Sequence, residues 1–94
     1  MAIYIVTWNL NREGDNYPAA RAAFIEQLER HTHVADSGLE SVRFVSSSLS
    51  AEDLYLDLQP KIDDDDRVFV VQLASSKIAG QLEDDVIDWI EARL

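Results

Sequence analysis

Asn9 and Asn11 flank the end of the chain's first apolar run. Their amides could face a ligand or a dimer axis; as turn residues they would instead bond the local backbone. Glu13 and Asp15 follow in the same polar stretch, where solvated loop or helix-capping roles are open to them. Asp63 to Asp66 form a run of four like charges. A calcium loop needs spaced ligands, a central Gly and a distal Glu, none of which is present, so the run predicts a solvated turn. His31 and His33 would share a face on a strand but not on a helix, and no third ligand stands nearby. Ser46, Ser47, Ser48 and Ser50 lack a spaced base that would make one a nucleophile. Trp8 and Trp89 could stack on bases, but each falls in an apolar pattern that predicts packing. Arg12, Arg21, Arg43, Lys61, Arg67 and Lys77 are scattered, with no basic patch legible in their order.

Charge and size narrow the chemistry further. The 94 residues carry 8 Lys and Arg against 18 Asp and Glu, a formal charge of −10. That balance argues against duplex DNA as a partner, since phosphate-binding surfaces are basic. Hydrophobic residues at 47% exclude a disordered tail. The absence of cysteine excludes disulfides, thiolate zinc sites and a Cys nucleophile. No Lys or Arg precedes the first apolar run, and no stretch approaches the roughly 20 apolar residues of a membrane span. The expectation is one soluble, cytoplasmic domain over residues 1–94, with no membrane association.

The elements that must position these residues follow from periodicity. Ile3 to Trp8 is too short and too β-branched for a helix and predicts a strand covered on both faces. Pro18 suits a helix's first turn. Tyr17, Ala20, Phe24, Leu28 and His31 then recur at three and four, predicting a helix over 17–31. Residues 31–36 and 41–47 flank Gly38 and predict a hairpin with a weak first arm. Ser50 to Asp53 resembles a capping box, with Leu54 and Leu58 as the apolar stripe of a helix over 51–59 that Pro60 limits. Residues 67–73 predict a second strand buried on both faces. Leu82, Val86, Trp89, Ile90 and Arg93 predict a last helix over 81–93, its first turn acidic as the helix dipole favours. The order matches an α+β, ferredoxin-like βαββαβ core over 1–74, a four-stranded antiparallel sheet, with an added C-terminal helix. Right-handed crossovers would set the first and last strands side by side in the middle. The sheet face away from the crossover helices needs a cover, either a second copy of the chain or the last helix.

The opening Ala2-Ile-Tyr-Ile-Val-Thr-Trp-Asn-Leu-Asn, with Tyr17, Asp36-Ser37, Leu49-Ser-Ala-Glu-Asp-Leu and Asp66-Arg-Val-Phe-Val-Val, resembles the small SinR-like family. That family sits in the superfamily of CRISPR-associated endoribonucleases, beside VapD-type toxins and GhoS-type antitoxins. The resemblance spans about residues 2 to 82. It implies a ferredoxin-like protomer in a two-fold homodimer and a defence or toxin–antitoxin context. In nuclease members an acidic residue at the end of the first strand binds a metal at the dimer axis, where Mg2+ activates water and stabilises phosphate charge. The matching position here is Asn9. Two amides in place of two carboxylates remove two negative charges, so the expectation is a non-catalytic module with a protein or RNA partner and no cofactor. The alternative is a metal-dependent endoribonuclease with an atypical site around Asn9, using Mg2+ held with help from Glu13 or Asp15.

Overall fold

A computed structural model describes residues 1–11, 17–75 and 77–94 of the chain. The elements run β1 (Ala2–Asn9), α1 (Tyr17–Leu28), β2 (Thr32–Val34), β3 (Val42–Ser47), α2 (Ala51–Leu58), β4 (Arg67–Gln72) and α3 (Asp84–Glu91), with a 3-10 turn at Gln59–Lys61 after α2. The four strands form one sheet in the order β2-β3-β1-β4, every neighbouring pair antiparallel. This is the ferredoxin-like βαββαβ plan with an additional C-terminal helix.

Alternation along β1 decides what each sheet face buries. Tyr4, Val6 and Trp8 point to one face and are buried with Val45, Phe24, Leu28, Leu54 and Leu58, so α1 and α2 cover that side. Burying side chains of this size contributes roughly 1.5–3 kcal/mol each. The Trp8 and Phe24 rings meet at 5.2 Å and 54°, a tilted contact. Ile5, Val42 and Phe44 point to the opposite face, where Val86 and Ile90 of α3 pack on them. The C-terminal helix thus supplies cover for the second face. A second copy is not needed over the strands it spans.

Local chemistry sets most boundaries. Ser50 caps α2, its Oγ accepting the Asp53 N–H at 3.1 Å. Helix α1 ends at Leu28, short of the predicted residue 31. The Arg30 and His31 N–H groups reach back only three residues, to the Gln27 and Leu28 carbonyls, so the last turn tightens out of the α form. His31 therefore leaves the helix face assigned to it, and Ala20 is exposed. Helix α3 is likewise shorter than 81–93. Leu82 still packs in the core beneath it, but Glu83 is the N-cap and Arg93 lies past the last turn.

One expectation is overturned. β4 lies beside β1, but at the edge of the sheet rather than in its middle, because β3 occupies the other side of β1. Nor is it buried on both faces. Val68 and Val70 pack toward α1 and α2, whereas Phe69 on the other side is 66% exposed. Helix α3 reaches Leu73 but not the aromatic ring four residues earlier.

Candidate interaction surface

The end of β1 carries Asn9, exposed and in register with Arg67 of β4. Asn11 is exposed too, and its backbone N–H donates to Asp66 Oδ1 at 2.8 Å. Asp66 Oδ2 accepts the Asp63 N–H, also at 2.8 Å. The aspartate run therefore forms a turn that one of its own members staples, and that same carboxylate anchors the segment after β1. Glu13 and Asp15 lie outside the described residues.

These groups do not fit a hard divalent cation. The strand end offers one neutral amide whose cross-strand neighbour is a guanidinium, and the Asp66 carboxylate already serves two backbone donors. Ligands for Mg2+ are typically carboxylate oxygens and water in octahedral array. Among the described residues, no group of three or more His, Cys, Asp or Glu could hold a metal ion.

The other chemistry-bearing residues are distributed through the scaffold. His31 Nε2 lies 2.7 Å from Asp57 Oδ2, and Gln27 donates to the same oxygen at 3.2 Å, so the end of α1 is tied to α2. His33 stands on β2 with Nδ1 2.9 Å from the His31 carbonyl oxygen. Ser46 and Ser47 are buried in β3, and Ser47 Oγ accepts the Leu49 N–H at 3.0 Å. Trp8 is core. Trp89 is half-buried, with the Arg93 guanidinium 4.1 Å from its ring centre. Arg43 bonds Glu29 at 3.1 Å and lies 5.4 Å from the Trp8 ring centre. These cations are thus engaged on separate faces.

Two features went unread in the sequence. The first is a reciprocal clasp at the hairpin turn. Buried Asp36 accepts the Gly38 N–H through Oδ1 at 2.8 Å and the Glu83 N–H through Oδ2 at 2.7 Å. Glu83 Oε1 in return accepts the Ser37 N–H at 2.7 Å and the Ser37 hydroxyl. Partners this far apart in sequence leave no local signal, though an Asp-Ser-Gly turn is a known trap for backbone N–H groups.

The second is the outer edge of β4. Among the described residues no strand pairs with it. The Leu73 N–H donates to the Ile3 carbonyl at 2.8 Å, and Tyr4 pairs with Gln72. Antiparallel alternation then directs the main-chain groups of residues 67, 69, 71 and 73 at β1 and those of 68, 70 and 72 outward. An edge of this kind, with an exposed aromatic at its centre and no Lys or Pro within it, is a template for another chain.

Two concavities lie near this region. One of about 310 Å³ sits between Tyr55, Ile62, Val68 and the aspartate turn. The other, about 600 Å³, runs between α3 and the sheet and is lined by Ile5, Phe44, Leu73, Leu82, Ile87 and Ile90. No helix among the described residues is long and apolar enough to cross a membrane. No protein-family model matches the chain, and no curated protein matches it.

Proposed function

We propose that this chain is a small, non-catalytic interaction module that works as a homodimer through the open edge of β4. The observation that carries this reading is the outer side of that strand, which no strand among the described residues pairs, with Phe69 66% exposed at its middle. Soluble proteins commonly blunt such an edge with charge, Pro or a bulge, and β4 carries none at residues 68–71. The described donor set at Asn9 supports the non-catalytic part: its neutral amide stands opposite the Arg67 guanidinium, and among the described residues no three His, Cys, Asp or Glu gather to hold a metal.

The onward partner is a protein rather than RNA. A formal charge of −10 repels phosphate, and Arg43 and Arg93 are occupied by Glu29 and by indole rings. A defence or toxin–antitoxin setting belongs to the same proposal and rests on the SinR-like resemblance alone.

Light scattering on the purified chain, paired with an RNA cleavage assay in Mg2+ or Mn2+, tests the reading. A dimer mass with intact RNA is expected. Monomer mass at every concentration would overturn the dimer. Metal-dependent cleavage that Asn9→Ala abolishes would overturn the non-catalytic assignment.

A further inference from the structure

We infer that two copies pair β4 to β4, antiparallel about a two-fold axis at Val70, making one continuous eight-stranded sheet. This rests on the homodimer reading above and adds the surface and the register.

The register follows from which backbone groups are free. Residues 68, 70 and 72 direct theirs outward, so only like-parity residues can form hydrogen-bonded pairs across the new interface. With the axis at residue 70, Val70 pairs with its own copy and Val68 with Gln72, and every outward group of the strand is used. With the axis at 69, Gln72 would need Asp66, whose N–H is already bonded to the Asp63 carbonyl. With the axis at 71, Val68 would need Ala74, whose carbonyl already accepts the Lys77 N–H. Both alternatives pair an outward residue with one that lies beyond β4 and is already drawn into a local turn.

Side chains and charge agree with the same register. On the α3 side of the sheet, Phe69 of each copy falls opposite Val71 of the other, a close non-hydrogen-bonded pair of aromatic and β-branched residues. That contact covers the exposed ring. The turn of four aspartates falls at the end where the partner copy's β4 stops at Gln72, and the sequence just beyond it, 73–77, has one Lys and no acid. The two acidic turns stand at opposite ends, roughly 20 Å or more apart by strand rise. That exceeds the Debye length of about 8 Å at physiological salt. Parallel pairing would bring them together.

Cysteine cross-linking reads the register directly, since the chain has no native cysteine. Phe69→Cys and Val71→Cys are made as separate proteins, mixed and oxidised. A non-hydrogen-bonded pair places Cα atoms about 4.5 Å apart, within disulfide range. The expected product is the mixed 69–71 dimer, with little cross-linking of either variant alone. A strong Phe69→Cys homodimer would put the axis at 69, and a strong Val71→Cys homodimer would put it at 71; either overturns the register. A dimer by light scattering that cross-links in no combination overturns the β4 surface while leaving the homodimer standing. Monomer mass overturns both. As a second measure, Phe69→Asp should raise the dimer dissociation constant about tenfold or more with unchanged circular dichroism. An unaltered constant would overturn the surface.

Discussion

β1 and β4 are neighbours with nearly the same composition and opposite situations. Both are short, apolar and β-branched, yet β1 lies between two strands and two layers of helix, and β4 has one strand and one well-covered face. Composition measures what a strand could bury, while position in the sheet decides how much of it is buried. That position is set by chain connectivity. After β3 has taken one side of β1, the second crossover can only deliver β4 to the other side, and nothing among the described residues follows to flank it. A strand built for the interior is left at the rim, where its surplus apolar surface is available for association.

The sharpest way to break this comparison is to make the same kind of cut in both strands. Trp8→Ala should cost about 3–5 kcal/mol, because a buried indole leaves a cavity against Phe24. That is a large share of the roughly 5–15 kcal/mol by which domains are stable, and urea denaturation will read it. Asp36→Ala comes next, at about 1–3 kcal/mol, since it removes a buried carboxylate that accepts the Gly38 and Glu83 N–H groups. By loosening α3 it should make the second face of β1 resemble that of β4, visible as increased binding of an apolar dye. Ser50→Ala should cost about 1 kcal/mol through loss of the α2 cap, and amide exchange should quicken in β4 before β1 because α2 packs on β4. Phe69→Ala should change monomer stability by no more than about 0.5 kcal/mol, measured at protein concentrations too low for association. A cost near that of Trp8→Ala would show that the ring is buried after all and end the contrast. Association itself should strengthen as salt rises from about 0.01 M to about 0.1 M, which shortens the screening length from about 30 to about 10 Å between two chains of charge −10. Sedimentation at the two salt levels reads that effect.

Much of the fold was legible because hydrophobic period and cap chemistry are local. Ile3 to Trp8, the Phe24–Leu28 step and Ser50 each announce their element within a few residues. What escaped is non-local. The exposure of Phe69 depends on the order of strands, and the end of α1 depends on how its final N–H groups choose between carbonyls three and four residues back. Asp36 and Glu83 lie 47 positions apart and meet only once α3 has crossed the sheet. The site residues divide in the same way. Asn9 and Asn11 sit at the strand end as their spacing requires, but the Asp66 carboxylate that anchors Asn11 arrives from 55 positions away. Nothing in an isolated run of aspartates marks which one turns back on the chain.

The Asp36–Glu83 clasp makes the last helix more than an appendage on a tether. Its N-cap residue, Glu83, is held by hydrogen bonds to Asp36 and Ser37 in the turn between β2 and β3, and its apolar side is held by Phe44. A protease that cut the backbone after Lys77 would therefore not release the C-terminal peptide at once. The two fragments would travel together as a nicked but folded protein, parting only under denaturant.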